Sequence, residues 1–403
     1  MIFNLAYGET RCDIELPDNL NPDLIEPRWI DSLTDSHSAI AEALKNPYKS
    51  KPLRQIVKKN DRIGIIFSDI TRATPYHIII PALMYELRDI PRENIGFFCA
   101  NGTHRFATDK ELISILGENI VARYRIIQNN ANDPDSHEYA GTTKSGNEIF
   151  LNREILSCNI KILTGFIEPH FFAGFSGGAK ALVPGMASVK TIKFNHSIGH
   201  LSLEGVNWGI TYGNPLWEEI MEAAELVKGL FLLNITMNKK KEITGVYAGD
   251  LRSAHLAGCK FVKDSSMVPV NKLYDIVITT NSGFPLDLNV YQAVKGMSAA
   301  AQIIKPGGNI IIASECRDGI PSNSDYETIL KSVSSAGELM EYIRKNESTL
   351  KDTWQIYFQA IIQQKANVHL YSRKLPHASI RTALFNPVND IATLTKELAH
   401  PNL

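Results

Sequence analysis

The sequence predicts an α/β protein of two domains, each with a mainly parallel sheet flanked by helices. Three observations carry this prediction. Short apolar runs alternate with amphipathic, helix-like segments along most of the 403 residues. Polar motifs stand directly after several of those runs, where open α/β sheets place ligands. The chain is also too long for one ordinary hydrophobic core.

Taken in order, residues 62–70 (RIGIIFSDI) and 94–101 (NIGFFCAN) read as strands buried in a parallel sheet. A helix lies between them, with Thr74 as its N-cap and Pro75 at its first position. Ile80, Leu83, Met84 and Leu87 give it an apolar stripe, and Pro81 is a candidate kink. A strand at 160–167, a helix at 215–228, strands at 229–237 and 242–248 and a helix at 250–264 follow. Residues 265–272 (SSMVPVNK) read as a connector, which sets the domains at 1–268 and 269–403. The second domain opens with a strand at 274–280 (YDIVITT) and a helix at 288–303. A strand at 309–313 follows the turn at Pro306, Gly307 and Gly308. Helices near 323–345 and 350–364 and a strand at 368–371 complete the prediction.

Lys plus Arg total 42 and Asp plus Glu total 43, so the basic excess of a general nucleic-acid binder is missing. An anionic ligand must be met by locally placed cations. The five cysteines are scattered, without CxxC or zinc-ribbon spacing, and read as reduced thiols. No apolar run approaches the ~20 residues that span a bilayer, and no charged segment precedes an apolar core at the N-terminus. The expectation is a cytoplasmic protein with a small-molecule ligand and no nucleic-acid or membrane partner.

The densest motif is the stretch 165–186, GFIEPHFFAGFSGGAKALVPGM. It holds His170, Ser176, Lys180 and the glycines Gly165, Gly174, Gly177 and Gly178, so its backbone can turn sharply and approach a bound group. It is not a P-loop, because the spacing to the lysine is wrong and Ala181 stands where Ser or Thr is needed. It lacks GxGxxG as well. Lys180 can therefore serve as a phosphate contact or as a covalent anchor. Asp69 and Arg72 follow the strand at 62–70, and Arg72 suits a carboxylate or phosphate, although a plain helix entry is equally open. His104, in NGTHR after the next strand, is an acid/base candidate or a loop histidine. His196 and His200 are spaced i, i+4, but Gly199 between them weakens a shared helix face. Tyr291, Gln292 and Lys295 fall on one side of the 288–303 helix.

DITRATP, NGTHR, EPHFFAGFSGGAK with LVPG, KTIKFNHS and FPLDLNVYQAVKGM occur in the order found in the nickel-pincer lactate racemase family, which the chain resembles over about residues 1–370. The resemblance implies a racemase or epimerase of a small 2-hydroxy acid, with its active site in the cleft between the domains. It implies nickel in a pyridinium-3,5-bisthiocarboxylic acid mononucleotide, held covalently by Lys180, with His196 as the protein ligand to nickel. His104 and His170 would be the acid/base pair, with Asp69 positioning them. Arg72 and Lys295 would hold the substrate carboxylate, Gln292 and Tyr291 would stand nearby, and Trp354 would line the cleft. Ser176, Gly177 and Gly178 would wrap the cofactor and offer backbone N–H groups to its phosphate. Loading would require cofactor-synthesis enzymes.

This scheme suits the chemistry. Acid/base groups contribute about 10²–10⁴-fold, so breaking a Cα–H bond also needs a cofactor as electron sink. The chain departs from the family at Ala179, where the family commonly has Arg, and in NGTHR and DITRATP, so the substrate side chain stays open. Family chains also tend to end in a further strand-like segment, which the polar stretch before Leu403 does not resemble. The oligomeric state stays open too. Two other readings remain at this point: a histidine-bound metal hydrolase using His170, His196 and His200, and a non-catalytic carboxylate- or nucleotide-binding homologue.

Overall fold

The computed structural model describes residues 1–322, 324–346 and 353–399. Two compact units emerge, Glu26–Val268 and a second unit that joins Met1–Ile25 to Pro269–Leu403. The change of unit falls at 268/269, and the first 25 residues group with the second unit. The reason is apolar alternation. The chain opens with an antiparallel hairpin, β1 (Ile2–Tyr7) and β2 (Thr10–Glu15), whose Cys12 and Ile14 point to one face. Together with Tyr7 and Leu16 they bury against Ile311, Ala313, Val388 and Ile391.

The unit 26–268 is built on a six-stranded sheet. Its strands are β3 (Ile63–Ser68), β4 (Ile95–Ala100) and β5 (Arg125–Gln128), then β8 (Ile160–Phe166), β11 (Leu230–Met237) and β12 (Ile243–Gly249). Between these lie a small hairpin, β6 (His137–Thr142) with β7 (Glu148–Asn152), and a second pair, β9 (Pro169–His170) with β10 (Gly174–Phe175). The large sheet runs β12-β11-β8-β3-β4-β5, parallel except at the β12 edge. β3 is buried and apolar from Ile63 to Phe67 because such a sheet is covered on both faces. On one face Ile65, Phe67, Phe97, Ile162 and Leu233 pack with Ile79, Ile80 and Leu83 of the helix Tyr76–Glu86.

That helix starts one residue later than its sequence suggests. Thr74 is not its cap: the Thr74 hydroxyl pairs with Ser68 at 3.1 Å, and the helix runs on through Pro81. Asn214 and Asp250, by contrast, cap the helices Pro215–Glu225 and Leu251–Ser266 through their side chains.

In the second unit β13 (Tyr274–Thr280), β14 (Ile304–Ala313), β15 (Asn367–Tyr371) and β16 (Asn386–Val388) form one parallel sheet in that order. β14 begins ahead of the Pro306-Gly307-Gly308 turn, which it absorbs as a register shift against β13. The helix predicted near 323–345 is two helices, Asp325–Ser332 and Ala336–Asn346, broken at the extended residue Val333. The predicted starts of the two tail helices, at 323 and at 350–352, lie outside the described residues, as does Leu403. No described helix is long and apolar enough to cross a membrane.

Candidate active site

Strand order assembles the motifs. β8, β3 and β4 are neighbours, so the segments that follow them leave the same end of the sheet. Asp69 and Arg72 follow β3, His104 follows β4, and the glycine-rich stretch follows β8. This is the ligand-binding end of an open α/β sheet.

The first cluster is charged. Asp69 is 5% exposed and its Oδ2 lies 2.6 Å from His104 Nδ1, while Oδ1 accepts from the Thr71 hydroxyl at 2.6 Å. Burial alone would raise the Asp69 pKa. The His104 hydrogen bond and charge, Thr71 and Arg72 outweigh it and hold the carboxyl at about 2. An ionised Asp69 accepts only, so His104 Nδ1 carries a proton and any proton exchanged with a substrate is the one on Nε2. Arg72 donates to Glu168 Oε1 at 2.9 Å, a link between the β3 loop and the start of the β9–β10 turn. Glu168 lies within the EPHFF motif but carries no special spacing, and sequence reasoning passed over it.

The second cluster is buried and aromatic. The stretch from Glu168 closes on itself: Ser176 N–H donates to the Glu168 carbonyl at 2.9 Å, and Glu168 N–H donates to Ser176 Oγ at 3.0 Å. His170 stacks on Phe171 at 4.9 Å and meets Phe172 edge-on at 4.5 Å. Its Nδ1 accepts from Ala173 N–H at 3.3 Å, which places the ring proton on Nε2. Phe172 also meets His196 at 5.0 Å and Lys180 Nζ at 5.2 Å. Burial first, and the Lys180 charge second, push the His196 pKa down to about 3, so His196 is a neutral imidazole.

The glycines serve the protein more than the sequence suggests. Gly174, Gly177 and Gly178 all have positive φ. A Cβ at Gly174 would meet the Ile210 carbonyl at 1.9 Å, one at Gly177 would meet Asn234 Oδ1 at 2.5 Å, and one at Gly178 would meet the His255 ring at 2.7 Å. Nor are all the loop N–H groups available to a phosphate. Those of Phe175, Ser176 and Gly178 donate to Ala173 O, Glu168 O and Asn234 Oδ1. Ala179 is buried and lines a small cavity with Trp217, Ile220 and Met221, so the departure from the family at this position faces the protein interior.

His196 and His200 do not share a helix. The helix Val189–Asn195 ends at His196, and Ser197 caps a new one, Ile198–Leu201. His200 Nδ1 pairs with Ser197 Oγ at 2.9 Å and its ring packs on Phe194. Among the described residues no three His, Cys, Asp or Glu side chains form a metal-binding group. The trio needed by a histidine-bound metal hydrolase, His170, His196 and His200, is therefore not assembled.

In the second unit the helix Val290–Ala300 buries Ala293, Val294 and Met297 and leaves Tyr291, Gln292 and Lys295 half-buried on another side. Trp354 Nε1 donates to the Tyr291 hydroxyl at 3.0 Å, which joins two predicted site residues 63 positions apart. Asp287, in the FPLD motif, receives the Gly8 and Glu315 N–H groups on Oδ2 and so ties the N-terminal hairpin to this unit.

The chain matches known proteins along most of its length. The family model of the lactate racemase N-terminal domain matches residues 7–209, and that of the lactate racemase C-terminal domain matches residues 270–399. The chain is 32% identical over 396 residues to a lactate racemase of Thermoanaerobacterium thermosaccharolyticum, covering 97% of this chain and 93% of that one. It is 38% identical over 328 residues to a lactate racemase of Lactiplantibacillus plantarum, covering 80% and 77%. The solved structure of the lactate racemase apoprotein from T. thermosaccharolyticum superposes with a TM-score of 0.90 at 31% identity, covering 100% of this chain and 95% of that one. A Thermotoga maritima protein shares the fold, with a TM-score of 0.71 at 19% identity over 91% of this chain and 93% of its own. The chain belongs to the lactate racemase family.

Proposed function

We propose that this protein racemises or epimerises a small 2-hydroxy carboxylate, lactate-like or related, with a nickel-pincer nucleotide tethered to Lys180. One observation carries the fit of that group. The tether lysine, the ligand histidine His196 and the acid/base histidine His170 all contact the Phe172 ring. His196 is also held in the neutral form that binds metal. Lys180 and His196 would hold the group beside the segment containing Ser176, Gly177 and Gly178. When bound, it supplies the electron sink for Cα–H cleavage that side chains lack.

The chain's own residues perform the rest. Arg72 receives the substrate carboxylate, and Lys295, Gln292, Tyr291 and Trp354 are assigned to substrate binding as well. His104 Nε2 accepts the hydroxyl proton while Asp69 steadies the resulting imidazolium through Nδ1–H. His170 presents a proton-bearing Nε2. With one ring of the pair neutral and the other an imidazolium, the neutral ring takes the hydroxyl proton from one enantiomer and the imidazolium returns a proton to the oxygen as the other forms. Five buried free cysteines support a cytoplasmic setting, and cofactor-synthesis enzymes are the expected partners for loading.

Mass spectrometry of the chain co-expressed with those enzymes tests the assignment. The expected result is an adduct mapped to Lys180 with stoichiometric nickel. Absence of both overturns it.

A further inference from the structure

We propose that Asn234 and His255 are positioning residues that clamp the glycine loop from behind and so fix where Lys180 projects. The proposal rests on the reading of Lys180 as the tether. Both residues are buried, and both grip backbone rather than side chain. Asn234 Oδ1 accepts from Gly178 N–H at 2.7 Å, and His255 Nε2 donates to the Ser176 carbonyl at 2.9 Å. These two grips stand two and four residues ahead of Lys180, whose own N–H reaches the Gly177 carbonyl at 3.2 Å.

Each clamp is itself anchored. Asn234 is on β11, beside β8, and its Nδ2 donates to the Leu233 carbonyl at 3.1 Å and the Leu163 carbonyl at 3.4 Å. His255, on the helix Leu251–Ser266, stacks near Trp217 with an interplanar angle of 11° and touches Cys259 Sγ at 3.6 Å. Burial pushes its pKa down to about 4, so it donates as a neutral ring and adds no charge behind the lysine.

The glycines and the clamps are complementary. Side chains at Gly177 and Gly178 would strike Asn234 and the His255 ring respectively, so the loop seats against these two groups at contact distance. A loop held at two backbone points cannot slide along the sheet edge, and a lysine that must meet one ring of a bound nucleotide gains from that constraint.

The test uses the cofactor-free chain. Lys180 is labelled with limiting acetic anhydride and quantified by peptide mass spectrometry against exposed Lys240, and amide exchange is read at Gly178. In Asn234→Ala, Gly178 exchange is expected to rise about tenfold as its buried acceptor is lost, and in His255→Ala to rise by a smaller factor as the released Ser176 carbonyl loosens the loop. The ratio of Lys180 to Lys240 labelling is expected to change severalfold. His255→Gln, which keeps an N–H donor, is expected to restore both readouts towards wild type. Gly178→Ala pushes the loop off His255 while leaving the Asn234 and His255 side chains unaltered, and should reproduce the labelling change even if the alanine variants do not fold. Wild-type labelling in Gly178→Ala, or no rescue by a folded His255→Gln, overturns the proposal. Acetylation needs no cofactor, so this result stands apart from whether nickel is found on Lys180.

Discussion

His104 and His196 sit in opposite surroundings. His104 is half-exposed and paired with an ionised carboxylate, so its environment supports proton transfer. His196 is buried among aromatic rings beside a lysine, so its environment forbids the proton. The charged cluster around Asp69 therefore suits acid/base work, and the buried cluster around Phe172 suits a metal ligand and a tether. Under the proposed function, desolvation and charge alone would give the same residue type two roles.

Variants can break this contrast, and the largest effect belongs to the buried cluster. Lys180→Ala should eliminate the adduct and bring racemisation to background, read by intact mass and chiral chromatography. Next comes Asp69→Asn in the charged cluster, which replaces an acceptor-only carboxylate with an amide that can donate to His104 Nδ1 and so no longer fixes its tautomer. It should lower kcat about 10²-fold or more with little change in KM.

The pH dependence of stability sharpens the contrast. His196 and His255 have pKa values of about 3 and about 4, below the ~6.5 of an unfolded histidine. The unfolded chain thus binds more protons in that window, and stability falls as pH drops below ~6.5. For His255 alone the full loss is about 3 kcal/mol, so denaturant titrations of His255→Gln should show a shallower decline towards pH 4. Asp69 acts lower. Its folded pKa of about 2 lies below the ~3.9 of an unfolded aspartate, so its contribution is complete above pH ~4 and disappears as pH falls through about 2.

Smaller effects follow. Arg72→Lys should raise KM about tenfold by removing a planar fork, and Glu168→Gln should raise it less, through looser placement of Arg72. His200→Ala should change kcat less than about twofold, because among the described residues that ring pairs with the cap Ser197 and packs on Phe194.

Much of the candidate site was legible in the sequence because three of its motifs directly follow apolar strands. The strands at 62–70, 94–101 and 160–167 were recognisable from continuous apolar runs, and the segments after them held Asp69 and Arg72, His104, and His170 and Lys180 in turn. The N-terminal hairpin was not recognised, because Cys12 and Ile14 alternate with charged residues and find their apolar partners more than 290 positions later. Asn234 and His255 were illegible for a similar reason. A polar residue inside a strand or a helix has no local signature, and only strand order brings these two behind the loop. Glycine density was read as room for a ligand, whereas three of those glycines make room for Ile210, Asn234 and His255.

The most direct measurement is chiral conversion by the loaded chain. Pure D and pure L forms of a panel of 2-hydroxy acids are incubated separately and followed to equilibrium. At least one member of the panel is predicted to reach the same mixture from both sides, with Asp69→Asn slowing both directions. Failure of every acid to convert, despite nickel on Lys180, would contradict the account.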